Sequence, residues 1–127
     1  MSDFTVFDVA FPADAKQRVI VNTDAKNEAD DQYAIVHAVL TPSFDLHGII
    51  PAHYGTRKTL TSLQESHDET VKLLRLMDLE GEVPIEDGAP LAIPDESTLA
   101  DSPGARLIIE EAMKDDKRPL HVAFYGP

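Results

Sequence analysis

The chain of 127 residues carries 23 acidic and 11 basic side chains, which gives it a formal net charge of −12. So negative a surface repels nucleic acid and anionic membranes, and the absence of cysteine excludes thiol catalysis, disulfides and cysteine-based zinc sites. Neither a secretory signal nor a membrane-spanning apolar run is visible. We therefore expect a soluble cytoplasmic protein that binds neither nucleic acid nor membrane.

The first half of the chain alternates between strand and helix patterns. A β-branched run at 18–23 predicts a buried strand, and a mostly apolar run at 30–40 predicts a helix packed on a sheet. This helix is expected to end at Thr41-Pro42, because proline cannot continue the hydrogen-bond ladder. Residues 45–52 then predict a second strand.

The second half continues the alternation. Its predicted elements are a helix over 63–77, a brief strand over 83–85, a helix that begins at 102 and a strand over 120–125. Ser102 followed by Pro103 is typical of an N-cap with proline in the first helical turn. His67 is expected on the solvated face of its helix, among acidic neighbours.

Strands that alternate with helices predict an α/β fold, with a Rossmann-like parallel sheet and helices on both faces. Residues 18–127 would form this domain, and residues 1–17 would form an N-terminal arm. The last predicted strand has no helix after it to cover it. We therefore expect an incomplete sheet, completed by a further segment or by association into a homo-oligomer.

Four carboxylates occupy the loop between the first predicted strand and the first predicted helix: Asp24, Glu28, Asp30 and Asp31. In an open α/β sheet this is the usual position of a ligand site. Clustered oxygen ligands need a cation, a proton or water, and Ca²⁺ or Mg²⁺ is the natural cation. Helix capping is the structural alternative. It stabilises each acidic residue by roughly 0.3–1 kcal/mol and would account for one or two carboxylates, not four.

Two familiar acidic motifs do not fit this loop. In an EF-hand counted from Asp24, the sixth position is Ala29 instead of glycine and the twelfth is Ile35 instead of glutamate. An aspartyl-nucleophile phosphotransfer motif requires a second aspartate at the position of Lys26. A Mg²⁺-dependent phosphate-handling domain is also disfavoured, because no glycine-rich phosphate loop is present.

A third pattern fits better. Asn22-Thr-Asp24, a short loop and Asp30-Asp31 before an apolar helix resemble the N-terminal motif of the inosine-uridine-preferring nucleoside hydrolases, which reads Asp-x-Asp, three residues, Asp-Asp. Three further family landmarks have similar segments here in the same order, which are 47–55, 83–91 and 124–127. The resemblance covers the N-terminal portion of the family only.

The chain also departs from the family pattern. Asn22 replaces the first aspartate, and Asn27 and Glu28 lengthen the loop by two residues, which resembles a divergent nucleoside-hydrolase-like branch. Gly55 stands where an asparagine is expected after the second strand. The family's late aspartate ligand and the histidine that assists the leaving group have no counterpart.

The resemblance implies a calcium site and a set of substrate contacts. Asp24 and Asp31 would ligate Ca²⁺, with a backbone carbonyl near Tyr125 as a further ligand, and Asp24 would also act as the base toward water. The implied substrate-binding residues are Asp30, which would accept a hydrogen bond from a ribose hydroxyl, and Asn27, Glu28 and His53. For His53, a purely structural loop contact is an equal alternative.

The implied activity is Ca²⁺-dependent hydrolysis of the N-glycosidic bond of a nucleoside, which yields ribose and a free base. The alternative is a non-catalytic ribose-binding, nucleoside-binding or regulatory domain that keeps the acidic pocket without the hydrolytic residues. In both cases the expected partner is a small-molecule nucleoside.

Overall fold

The computed structural model describes residues 10–126. Residues 1–9, which are most of the predicted arm, and Pro127, the end of the predicted domain, lie outside this range. The helices and strands in the described part of the chain are a short 3₁₀ turn at Ala13–Ala15, β1 (Gln17–Thr23), α1 (Asp30–Leu40), β2 (Phe44–Pro51), α2 (Ser62–Leu76), α3 (Pro103–Ala112) and β3 (Leu120–Phe124). Their order is the predicted α/β alternation, except that no strand separates α2 from α3.

The three strands form a parallel sheet in the order β2-β1-β3. On the outer side of β2, Ile85 makes an isolated parallel bridge with Ile49, through hydrogen bonds from Ile49 N to Pro84 O (2.9 Å) and from Glu86 N to Ile49 O (3.1 Å). The strand predicted over 83–85 is thus reduced to a single bridge. Pro84 has no N–H to extend the ladder on one side of the bridge. On the other side Gly88 N donates to Pro51 O at 3.0 Å, but Pro51 has no N–H to complete a second bridge.

The strand order reverses at β1, and in parallel α/β sheets such a reversal is where a crevice forms at the carboxyl end of the strands. From β1 the chain moves outward to β2 and then to Ile85, and afterwards it returns to place β3 on the opposite side of β1. In parallel α/β sheets, ligands bind beyond the carboxyl ends of the strands where the strand order reverses. Here that position lies between the carboxyl ends of β1 and β3.

Helices cover both faces of the sheet. Ile49 faces α1 and α2 and shares a core with Ile35 and Leu74, whereas the neighbouring Ile50 faces α3. On that second face Gly104 packs so closely that a Cβ would collide with the Ile50 side chain. Within residues 10–126, no helix is long and apolar enough to cross a membrane.

Local sequence signals explain where the helices begin and end. The bounds of α1 coincide with the prediction, and the helix ends before Thr41-Pro42. Ser102 caps α3 as predicted, because its side chain accepts a hydrogen bond from Ala105 N at 3.1 Å. One irregularity lies in β2, where His47 has no ladder partner: Leu46 pairs with Val19, and the next pair joins Gly48 to Ile20.

Charged side chains pair at the amino end of the sheet. We call this group the amino-end charge network; its members are Arg18, Asp45, His47, Glu111, Asp116 and Arg118. The Arg18 side chain is only 3% exposed and lies 3.4 Å from the Glu111 carboxylate. His47 joins β2 to α3, with one ring nitrogen 3.0 Å from Asp45 on the same strand and the other 3.0 Å from Glu111.

This pairing lowers the pKa of the carboxylates involved. Burial raises the pKa of Asp45, but His47 and Arg118 outweigh burial and leave the pKa below its ordinary value. The pKa of Glu111 is lowered in the same way: burial opposes the shift, while Lys114, His47 and Arg18 favour the ionised form. Both acids are therefore held as paired anions.

Candidate functional site

The acidic loop lies at the crevice between β1 and β3. Asp24 follows β1 directly and is 5% exposed, and Asp31 lies in the first turn of α1 and is 4% exposed. The backbone beyond β3 is held alongside β1 by a hydrogen bond from Tyr125 N to Asn22 O at 2.9 Å. The structure thus brings Asp24, Asp31 and Tyr125 to the same edge of the sheet.

Asp31 is a buried carboxylate with another carboxylate beside it. Thr23 Oγ1 donates a hydrogen bond to Asp31 Oδ2 at 2.6 Å. Burial raises the pKa of Asp31 and the Thr23 hydroxyl lowers it, but a hydrogen bond with Asp24 and the charges of Asp24 and Asp30 raise it further, so the net pKa lies above its ordinary value. A proton or a cation between Asp24 and Asp31 would relieve this repulsion.

Asp24 is held by its own loop. Asn27 Nδ2 donates to Asp24 Oδ2 at 2.9 Å, and Asn27 N donates to Asp24 O at 2.8 Å, which closes a turn. Lys58, from the loop after β2, donates from Nζ to Asn27 Oδ1 at 2.7 Å. A chain of hydrogen bonds therefore links two loops to one carboxylate oxygen.

The other oxygen of Asp24 faces the backbone at Gly126. This glycine has φ +135°, and a Cβ placed on it would lie 2.9 Å from Asp24 Oδ1. Glycine at 126 therefore permits a close approach as well as the backbone conformation. Sequence reasoning matched Gly126 to a family landmark but did not assign it this contact.

The remaining predicted contact residues lie on the segments that follow β1 and β2. Glu28 and Asp30 are exposed on the loop, and His53 is half-buried after β2. His53 Nδ1 accepts a hydrogen bond from Gly55 N at 3.1 Å, so the proton of the neutral ring is on Nε2. Asp30 and the Nε2–H group of His53 are therefore available as an acceptor and a donor for a ligand.

The charges of Asp31 and Asp24 contribute to raised pKa values at two tyrosine phenols. Burial, and then the charge of Asp31, raise the pKa of the Tyr125 phenol. Burial, Glu65 and the charge of Asp24 raise the pKa of the Tyr54 phenol. Both hydroxyls therefore stay protonated at neutral pH and can donate hydrogen bonds.

Helix capping does not explain the buried carboxylates. The N-cap position of α1 is Ala29, which makes no side-chain capping bond. The Asp31 carboxylate accepts from Thr23 on the preceding strand, and Asp24 lies outside the helix. The dipole of α1 favours Asp30 and Asp31 in its first turn but offers no reason to bury Asp24.

The oxygen atoms of the acidic pair are of the chemical type that a hard cation prefers as ligands. Asp24 and Asp31 offer carboxylate oxygens, the ligands that Ca²⁺ prefers, and no lysine or arginine within residues 10–126 forms an ion pair with either of them. The described residues contain no group of three or more His, Asp or Glu side chains placed to hold a metal. A cation here would therefore need backbone, water or substrate oxygens in addition to the two aspartates.

One contact contradicts the sequence expectation. His67 does not lie on a purely solvated face, because its Nδ1 atom lies 2.6 Å from Asp87 Oδ1. Asp87 follows Ile85, so this pair lies beyond β2 at the outer side of the sheet, away from the crevice between β1 and β3. It joins α2 to the turn that precedes α3.

Comparisons with known proteins add no identification. No protein-family model matches the chain, and searches of curated proteins and of solved structures also find no match. The nucleoside hydrolase resemblance therefore stays a prediction from the motifs.

Proposed function

We propose that this chain belongs to a Ca²⁺-dependent nucleoside N-ribohydrolase, which converts a nucleoside and water to ribose and a free base. One observation carries the proposal. Asp24 and Asp31 are buried side by side at the reversal point of the sheet, and neither has a basic ion-pair partner in residues 10–126. The motif resemblance supplies the reaction class.

The electrostatics favour a cation at this pair. A buried carboxylate without a partner is costly, and two adjacent ones repel each other. The same fold pairs its buried charges elsewhere, as at Arg18 and Glu111. Bound Ca²⁺ would offset the charge of Asp24 and Asp31, would hold ribose hydroxyls and would lower the pKa of a nearby water.

The side chains of this chain can perform the remaining steps. Asp24 accepts the proton of the attacking water, whose oxygen bonds to the anomeric carbon. The C–N bond breaks with its electron pair passing to the base, which takes a proton from solvent. The carboxylates of Asp30 and Asp31 stabilise the positive charge that develops on the sugar.

Release of ribose from a panel of purine and pyrimidine nucleosides, with and without a calcium chelator, tests the proposal. The native chain should release ribose, and the chelator should abolish the release. Asp24→Asn should lower turnover by at least 10²-fold, because the variant loses both the base and a metal ligand. Asp68→Asn on the exposed face of α2 is the matched control and should keep native turnover.

Two outcomes would overturn the hydrolase. The first is retained turnover in Asp24→Asn. The second is the absence of ribose release from every nucleoside, both for this chain and for a longer chain that continues past Pro127.

A ribose-binding domain without catalysis is the second candidate. It is favoured by the lack of three metal-ligating side chains in one group among residues 10–126. Under this alternative, calorimetry should detect nucleoside binding that persists with the chelator and weakens in Asp24→Asn, with no ribose released in any case.

A further inference from the structure

We infer that Lys58 and Asn27 are positioning residues that set the orientation of the Asp24 carboxylate and thereby the cation affinity of the site. The effect on cation affinity rests on the proposed function, since it assumes that Asp24 is a metal ligand. The hydrogen-bond chain from Lys58 through Asn27 to Asp24 is itself a feature of the fold.

Both polar atoms of the Asn27 side-chain amide form hydrogen bonds within the protein. Its Nδ2 donates to Asp24 Oδ2 at 2.9 Å, and its Oδ1 accepts from Lys58 Nζ at 2.7 Å. The lysine also reaches Asn27 O at 3.4 Å. Because Lys58 fixes which end of the amide carries the acceptor, the NH₂ group must point at Asp24. This assigns Asn27 a role toward Asp24 in addition to the predicted role as a substrate contact.

The chain of hydrogen bonds leaves one oxygen of Asp24 for other partners. Oδ2 is held by Asn27, and the position of Oδ1 is limited by the Gly126 backbone on one side. Rotation of the carboxylate about its terminal torsion would break the Asn27 contact. Groups that orient a ligating carboxylate typically change metal affinity by 10–100-fold when they are removed.

The direction in which Ca²⁺ affinity changes when Lys58 is removed distinguishes a positioning role from a purely electrostatic one. Lys58 is positively charged, so its removal should strengthen Ca²⁺ binding if only the charge matters. If Lys58 positions Asn27, its removal should weaken binding. Lys26 provides the matched control, because it carries the same charge on the acidic loop itself and contacts Glu69 at 3.4 Å without any bond to Asn27.

Ca²⁺ titration by calorimetry on the native chain and three variants is the first measurement. Lys58→Ala should weaken Ca²⁺ binding about threefold and Asn27→Ala about tenfold, a smaller loss for the more distant residue. Lys26→Ala should bind Ca²⁺ at least as tightly as the native chain. Lys58→Arg should restore the affinity, because its guanidinium can donate to the same amide oxygen.

A second measurement works without metal. Hydrogen exchange of the Asn27 side-chain NH₂ group, followed by NMR, should be faster in Lys58→Ala than in the native chain and unchanged in Lys26→Ala. The Asn22 side-chain amide on β1 donates to Ile50 O on β2 at 3.2 Å. It serves as an internal control whose exchange should be the same in all variants.

The two measurements fail in distinguishable ways. If the native chain binds no Ca²⁺, the proposed function is wrong, and the Asn27 exchange rate alone decides whether Lys58 positions the amide. If Lys58→Ala leaves that exchange rate unchanged, or tightens Ca²⁺ binding as Lys26→Ala does, the positioning role is overturned.

Discussion

At the amino end of the sheet, buried charges are matched with opposite charges, whereas at the carboxyl end two buried carboxylates face each other. Arg18 lies against Glu111, and Arg118 bonds Asp45 at 3.0 Å. By contrast, the side chains in residues 10–126 that donate to Asp24 and Asp31 are neutral, and they are Asn27 and Thr23. Both ends belong to the same sheet, so the difference does not arise from the fold class. Burial alone does not explain it either, because Arg18 and Glu111 are as buried as the two aspartates.

The contrast distinguishes charges that stabilise the fold from the two carboxylates that we propose to be functional. Paired charges lower the pKa of their carboxylates, while the unmatched pair has a raised pKa at Asp31. A carboxylate whose pKa is raised by burial and a neighbouring acid is a functional-site candidate with a physical reason. Four changes test how far this contrast holds.

Glu111→Gln should have the largest effect on stability. It removes the carboxylate that faces the Arg18 side chain, which is only 3% exposed, and it also removes the partner of His47. The buried guanidinium would keep only Asp116, at 3.6 Å, as charge compensation, and the free energy of unfolding should fall by about 3 kcal/mol, the low end for a broken buried pair. Urea denaturation of the native chain and the variant measures this loss in the free energy of unfolding. Glu110→Gln, on the exposed side of the same helix, should cost less than about 0.5 kcal/mol; equal losses would show that charge pairing is not the cause.

Gly126→Ala should disturb the carboxyl end at a smaller cost. The new Cβ would lie 2.9 Å from Asp24 Oδ1 and should displace that carboxylate, which weakens Ca²⁺ binding about tenfold. The positive φ adds about 1 kcal/mol of strain. Gly55→Ala is the control, because Gly55 also has positive φ but has no atom within 4 Å of the Cβ position. The same Ca²⁺ affinity in both variants would contradict a role for the contact.

Asp31→Asn and Asp45→Asn should change stability in opposite directions. The folded-state pKa of Asp31 is raised, so its ionised form destabilises the fold at neutral pH, and the amide removes this charge while it still accepts from Thr23. The metal-free melting temperature should rise by about 4 °C, or about 1 kcal/mol. Asp45 loses paired contacts with His47 and Arg118, so its variant should melt about 4 °C lower. A fall in both variants would remove the distinction between the two ends.

Changing the pH from 7 to 5 should have the smallest effect. The pKa values of Asp45, Glu111 and Asp116 are lowered in the folded state, so their stabilisation is fully present above the unfolded values of 3.8 to 4.5 and is lost as the pH falls through the lower folded values. Asp31 acts in the opposite sense, because the cost of its ionised form is relieved as the pH falls toward its raised pKa. The melting temperature should therefore stay constant or rise slightly from pH 7 to 5 and decrease below about pH 4. A marked decrease already at pH 6 would show that these pairs are not ionised as described.

Local signals made most of the fold predictable. The paired aspartates at the start of α1 and the Thr41-Pro42 stop define a helix whose bounds match the prediction, and Ser102 caps α3 as expected. The prediction was wrong at 83–85. A short apolar run suggested a strand there, but Pro84 lacks the N–H group that a ladder needs, and only one bridge forms.

The site was predictable in position and not in its contacts. The rule that ligand sites follow the carboxyl ends of strands is enough to single out the loop that carries the four carboxylates, and the motif resemblance then selected Asp24 and Asp31 among them. The bond from Lys58 to Asn27 joins residues 31 positions apart, and the bond from His67 to Asp87 joins residues 20 apart. Neither has a periodicity or motif, because both depend on where helices and loops meet in three dimensions.

His47 shows how an extra residue can be used by a regular sheet. Without it, Leu46 and Gly48 would be consecutive in β2 and would pair with the same partners on β1, Val19 and Ile20, so every side chain would keep its face. The insertion therefore costs the ladder nothing beyond a local kink. Such an insertion leaves the packing of the core unchanged. Here the added residue supplies an imidazole that links β2 to Glu111 on α3.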